Sequence, residues 1–171
     1  MLSAPATNEC VSIVIAAVSW RKVRYSAWHY SIHLDWFDIF MPDSAPSTAF
    51  PCCFQAPPPR VREGVALFNR GAFFECHEVL EDAWREEPGP CRFLYQGILQ
   101  LGVAFYHIQQ GNRPGALKVL KRAAAKFDRL PDRCQEVDVA RLRWVCESYG
   151  ERLGRADWAS IKDFPRIEIE G

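Results

Sequence analysis

One histidine stands where the apolar side of a helix would normally carry leucine or isoleucine. The segment 73–84 has the spacing of a helix. At about 100° per residue, Trp84 and Leu80 fall on the same side as His77, and Glu81 follows one turn later beside the histidine. Burying a histidine and a carboxylate is unfavourable unless they bond to each other or to another group. The pattern therefore predicts a polar site on a buried helix face.

A second polar seam runs along the next helical segment. With His107 as origin and about 100° per residue, Gln96 and Gln100 fall within roughly 20° of it, and the opposite side is apolar. Two facing seams of this kind predict an internal pocket. We expect it to be lined by His77, Glu81, Trp84, Tyr95, Gln96, Gln100 and His107.

Three roles fit such a pocket, and the residues alone leave all three open. The polar groups could form a closed network that fixes helix register in a non-enzymatic scaffold or interaction module. His77 and Glu81, four residues apart, could instead bind a divalent metal ion with His107 as third ligand. They could also form a metal-free catalytic dyad, with Glu81 orienting His77 as general base toward a small ligand. A Glu81→Ala change would destabilise by about 1–3 kcal/mol if it left a buried His77 unpaired.

Part of a known zinc-binding motif supports the metal interpretation. The string from His77 to Glu81 is similar to the zinc-peptidase pattern H-E-x-x-H, with glutamate in place of the second histidine. Glu78, which would be the general base, leans toward the solvated face of the helix. Zinc-peptidase activity is therefore not expected.

Charge and hydropathy restrict the partners. The 171 residues carry 21 basic and 21 acidic side chains, a net charge of zero. Nucleic acids and anionic membranes select basic surfaces, so we expect no dedicated nucleic-acid binding. The longest apolar run, from Val11 to Val18, is shorter than the roughly 20 residues of a membrane span. The pocket favours a small-molecule partner, and homo-oligomerisation stays open.

The cysteine pattern predicts free thiols. The chain has seven cysteines, an odd number, and no C-x-x-C pair. Neither a disulfide framework nor a zinc-ribbon spacing is visible. Scattered free thiols are typical of a reducing cytoplasm, which is the location that we expect.

Three regions follow from the distribution of breakers and aromatic residues. Residues 1–40 lack caps, turns and a steady period, so we expect a poorly structured extension that arises from an over-extended start. Residues 41–59 are rich in proline and predict a linker, with Cys52 and Cys53 as free thiols in a flexible arm. Residues 60–171 form the helical domain.

Stop and start signals divide this domain into an all-α bundle of five helices. Gly71 and Gly111 end the first and third helices, and Asn112 caps the fourth. The second helix runs from Phe73 to about Arg85. Because the joining loops are short, successive helices should be antiparallel neighbours.

The fifth helix and the tail complete the predicted fold. Asp132 and Gln135 are spaced like a capping box, which predicts a helix from about Arg133 to Tyr149. Trp144 then falls in its apolar stripe. The tail from 164 to 167 is expected to pack as an extended strap.

Several blocks in the same order resemble the domain-of-unknown-function 309 family. His77, Glu81 and Trp84 fit its pattern H-x-x-x-E-x-x-W/Y. Four further blocks are Phe68-Asn69 with Gly71, Leu94-Tyr95-Gln96-Gly97, Phe105-Tyr106-His107 and Gly111-Asn112. The resemblance covers roughly residues 60–150. It implies a helical fold and supplies no established activity.

Overall fold

The computed structural model describes residues 50–170, and our predictions for residues 1–40 lie outside them. The five α-helices are α1 (Pro59–Asn69), α2 (Phe73–Glu86), α3 (Arg92–Gln109), α4 (Arg113–Phe127) and α5 (Val139–Gly154). Successive helices pack on each other, α1 on α2 and so on to α5. The predicted all-α bundle of five helices is confirmed.

The first and third helices end, and the fourth helix begins, where the sequence predicts, whereas the fourth ends at Phe127, before the Leu130-Pro131 end that the sequence predicts. Gly71 and Gly111 adopt φ values of 74° and 71°, the left-handed region in which glycine has no Cβ penalty. Asn112 caps α4, because its Oδ1 accepts a hydrogen bond of 3.0 Å from the Gly115 amide. Short, capped loops therefore reverse the chain between these helices.

A small hairpin replaces the predicted first turn of the fifth helix. Strand β1 (Arg133–Cys134) pairs antiparallel with β2 (Val137–Asp138). Gln135 and Glu136 connect them in a two-residue turn with φ values of 50° and 63°. Neither residue is glycine, so the turn carried no obvious signal, and the predicted capping box with Gln135 is wrong.

Helix α5 consequently starts six residues later than predicted and buries a different face. Asp138 is its N-cap, and its Oδ1 accepts a 2.8 Å hydrogen bond from the Arg141 amide. Leu142, Val145 and Tyr149 face the core. Trp144 is 64% exposed, so its predicted place in the apolar stripe is wrong.

The tail forms the expected strap. Ile167 is buried, and its backbone exchanges two hydrogen bonds with the Asn69 side chain, at 2.8 and 2.7 Å. The Phe164 ring lies 5.2 Å from that of Phe73 and 5.1 Å from that of Phe105. The strap thus covers the aromatic end of the core.

Two disulfides overturn the prediction of free thiols. Cys52 is bonded to Cys91, and Cys53 to Cys134. Disulfide bonds therefore link the short 3₁₀ helix Pro51–Phe54 to the N-terminus of α3 and to β1, and this segment is not a flexible arm. Sequence spacing missed the bridges because the partners are 39 and 81 residues apart. The thiol argument for a reducing compartment no longer applies.

The two remaining cysteines among the described residues are free and buried, as expected. Burial raises the pKa of both the Cys76 and the Cys146 thiol to about 12. These thiols therefore stay protonated near neutral pH and act as small apolar side chains.

None of the helices within residues 50–170 combines the length and the apolar character that crossing a bilayer requires.

The tight contact between Gly97 of α3 and the Phe127 ring of α4 yields a stability prediction. A Cβ added there would lie 2.4 Å from the buried Phe127 ring. We expect Gly97→Ala to lower the free energy of unfolding by about 1–3 kcal/mol, although alanine is the better helix former. Urea unfolding followed by circular dichroism measures this loss.

Gly150→Ala is the matched control in α5, where the nearest atom to an added Cβ is 4.0 Å away. This change should stabilise by about 0.5–1 kcal/mol. A stabilising Gly97→Ala would show that the α3–α4 contact is looser than described.

Candidate functional site

Helix α2 presents the predicted histidine to the core. His77 is 8% exposed and lies among the buried residues of α2, together with Trp84 at 6%. Glu75 and Glu78 are exposed on the opposite side. The helical periodicity therefore located the buried polar side chain correctly.

Two aromatic contacts fix how α2 lies against α3. The rings of Phe74 and Tyr106 have centroids 6.2 Å apart, and the Arg92 guanidinium lies 5.4 Å from the centre of the Trp84 ring. Phe74, near the start of α2, contacts Tyr106 near the end of α3, and Trp84, near the end of α2, contacts Arg92 at the start of α3, so the two helices are antiparallel. Interpolation between these two contacts places His77 at about the same height along the helix axes as residue 101 of α3.

Gln100 lies at this level and is 1% exposed. Its side-chain oxygen Oε1 is buried and accepts no hydrogen bond from the described residues. A buried carbonyl without a partner costs about 1–3 kcal/mol, so native proteins normally satisfy such an atom with water or a ligand. One polar side chain from each predicted seam, His77 and Gln100, is thus buried. That the two seams face each other stays a prediction.

The other predicted pocket residues on α3 differ in burial. Gln96 is half-buried, and Tyr95 is buried. Burial raises the pKa of Tyr95.

Glu81 is bound by an arginine of its own helix. Its Oε1 accepts a 2.6 Å hydrogen bond from Nη2 of Arg85, four residues later, and its side chain is 24% exposed. This pairing occupies one of the two carboxylate oxygens, and the predicted dyad of Glu81 with His77 stays a prediction. The charge of Glu81 therefore faces solvent at least in part.

His107 lies at the far end of α3 and contacts the next helix cap. Its Nδ1 is 3.2 Å from the Asn112 amide nitrogen, and the side chain is half-buried. Burial lowers the pKa of His107, so its imidazole is neutral at pH 7. A neutral ring with Nδ1 as acceptor is consistent with this bond.

Potential metal ligands converge at a different place. The Sγ atoms of Cys52, Cys53 and Cys91 lie within 4.8 Å of one another. The predicted set of His77, Glu81 and His107 does not meet this distance, and it stays a prediction. The adjacent pair Cys52-Cys53 was the sequence signal for this group of sulfur atoms.

The Arg85 pairing changes the expected effect of removing Glu81. Exposed i, i+4 ion pairs contribute about 0.3–0.5 kcal/mol. We therefore expect Glu81→Ala to destabilise by only about 0.3–0.5 kcal/mol more than Glu78→Ala, which removes an exposed glutamate from the same helix. Chemical unfolding of both variants gives the difference. A difference above about 1 kcal/mol would indicate that Glu81 also pairs with the buried His77.

The comparison with protein families agrees with the resemblance in the sequence. The family model described as "Domain of unknown function (DUF309)" matches residues 61–119. The match begins in α1 and ends within α4. It contains the whole of the α2–α3 pair and all seven predicted pocket residues. The H-x-x-x-E-x-x-W pattern as a functional motif stays a prediction.

Two curated relatives match parts of the chain. "Uncharacterized protein YpuF" of Bacillus subtilis (strain 168) is 45% identical over 49 residues, 28% of each chain. An "Uncharacterized protein" of Aquifex aeolicus (strain VF5) is 26% identical over 91 residues, 51% of this chain and 26% of the relative. The chain thus spans about a quarter of the length of these relatives, and their names state no activity.

Proposed function

We propose that the helical segment matched by the DUF309 family, residues 61–119, binds a small polar molecule between α2 and α3. The buried Oε1 of Gln100 carries this proposal, since it accepts no hydrogen bond from the described residues. A ligand that donates a hydrogen bond, such as a hydroxyl or an amine, would satisfy it. His77, at the same level, supplies a second polar group.

The pairing of Glu81 with Arg85 favours binding over catalysis at this site. A general base needs a partner that orients it, and Glu81 already shares its oxygen with an arginine. The same pairing weakens the support for Glu81 as a metal ligand. We therefore propose a binding site in which His77 and Gln100 contact the ligand and Trp84 forms a wall.

A Gln100→Leu variant tests the proposal. Leucine keeps most of the volume and removes the buried polar atoms. If a ligand bonds to Gln100, the variant loses a bound small molecule, and its stability falls by about 1–3 kcal/mol relative to the wild-type complex. Native mass spectrometry of the full chain, purified without denaturation, detects the bound mass, and thermal unfolding measures the stability.

Gln109→Leu is the control, because Gln109 ends the same helix and is exposed. It should keep the bound mass. The proposal is wrong if wild-type protein carries no extra mass and Gln100→Leu is more stable than wild type. That result would favour the alternative, a scaffold in which His77 and Glu81 serve the fold alone.

A further inference from the structure

Four cysteine sulfurs, from the segment Pro51–Phe54, the N-terminus of α3 and β1, lie close together. Besides the two disulfides, the Sγ atom of Cys91 lies 3.8 Å from that of Cys53 and 3.6 Å from that of Cys134. The Sγ atoms of Cys52, Cys53 and Cys91 all lie within 4.8 Å of one another. We call these four residues, Cys52, Cys53, Cys91 and Cys134, the sulfur cluster.

These distances match a known coordination geometry. Zinc bound by four thiolates has Zn–S bonds of about 2.3 Å, and a tetrahedron of that size has edges of about 3.8 Å. The distances from Sγ of Cys91 to those of Cys53 and Cys134 already have this length. The bonded pairs Cys52–Cys91 and Cys53–Cys134 reach it once their disulfide bonds open. We propose that the reduced sulfur cluster is a tetrathiolate site for a zinc-class divalent cation, a site independent of the proposed ligand pocket.

The surroundings suit a closed thiolate site. Cys91 and Cys134 are fully buried and Cys53 nearly so, while Cys52 is half-buried and gives access from solvent. Cys91 is the N-cap of the 18-residue helix α3, where the helix dipole favours a thiolate. The Gln135 amide donates a 2.8 Å hydrogen bond to the Cys53 carbonyl, which holds two ligand-bearing segments together. The ligands thus come from three elements that the fold positions in advance.

Two molecules of a dithiol reductant convert the two disulfides into four thiols, which then bind the metal ion. A dithiol reductant attacks Sγ of Cys52, the Cys52–Cys91 bond breaks, and Cys91 leaves as a thiolate; the second reductant thiol then releases Cys52. A second dithiol then opens the Cys53–Cys134 disulfide by the same two steps, so that Cys53 and Cys134 both end as thiols. Two disulfides thereby gain four electrons and four protons, and two dithiols become cyclic disulfides. Binding of Zn²⁺ by the four thiols then releases four protons.

The full chain, prepared fully oxidised and fully reduced, tests the proposal with Zn²⁺ as the probe. We expect the reduced form to retain about one zinc per chain through gel filtration and the oxidised form to retain none. Co²⁺ in place of zinc should give the intense visible absorption of a tetrahedral site and a thiolate-to-cobalt charge-transfer band. This spectrum needs no variant, so it does not depend on the folding of a mutant.

Cys52→Ser removes the half-buried ligand on the short segment and should abolish zinc retention by the reduced protein. Cys76→Ala and Cys146→Ala each remove a free thiol outside the sulfur cluster, and both variants should retain zinc as wild type does. The proposal is overturned if the reduced wild-type protein retains no zinc, or if Cys52→Ser keeps both the zinc and the unchanged cobalt spectrum.

Discussion

Phe105→Ala will lower the free energy of unfolding by about 3–5 kcal/mol, the range for deleting a fully buried phenylalanine. Phe105 is fully buried near the C-terminal end of α3. Its ring centroid lies between 4.8 and 5.7 Å from four other rings, those of Phe68, Phe73, Tyr149 and Phe164. These rings come from three helices and the strap, so their contacts are lost together. Urea unfolding monitored by circular dichroism measures the loss.

Trp144→Ala is the matched control for this prediction. It removes a larger aromatic side chain that is 64% exposed on α5. The free energy of unfolding should change by no more than about 0.5 kcal/mol. Comparable losses in the two variants would mean that Trp144 is buried in solution, for instance in an interface with a second chain.

Replacing both Cys53 and Cys134 by alanine will lower the free energy of unfolding by about 2–5 kcal/mol under oxidising conditions. The bridge joins residues 81 apart, so it removes much freedom from the unfolded chain. Alanine avoids burying a new hydroxyl group. The measurement is chemical unfolding with a chelator present, so that no metal binding offsets the loss.

Two comparisons isolate the contribution of the bridge. Cys76→Ala removes a buried thiol that forms no bridge, and it should cost only the cavity left by one sulfur atom. Added dithiol should destabilise the wild type by more than it destabilises the double variant, which retains only the Cys52–Cys91 bridge. Equal unfolding curves for wild type and double variant would contradict the prediction.

Local signals predicted the first four helices because each has its own stop or cap. Gly71, Gly111 and Asn112 act through backbone conformation and one hydrogen bond, which depend on neighbouring residues only. The start of α5 depended instead on two residues that adopt positive φ without being glycine. Cys134 is bonded to Cys53 and Val137 pairs with Ile169, so distant parts of the chain hold this turn.

The site was predictable to a similar extent. Burial of His77 followed from helical periodicity, because its face is set by the residues three and four positions away. The hydrogen bond between Arg85 and Glu81 could not be predicted from the sequence. His77 and Arg85 are both four residues from Glu81, so their spacing does not distinguish between them. The sulfur cluster depended on three segments meeting in space.

The strap also determines the order in which the protein can mature on the ribosome. Asn69 is synthesised 98 residues before Ile167, the residue that takes up both hydrogen bonds of its side chain. The rings of Phe73 and Phe105 likewise lack their contacts with the Phe164 ring until residue 164 has been synthesised. Until then the emerging chain displays an uncovered aromatic surface, the kind of surface that chaperones of nascent chains bind. Completion of the core therefore requires that residues 164–167 have been synthesised.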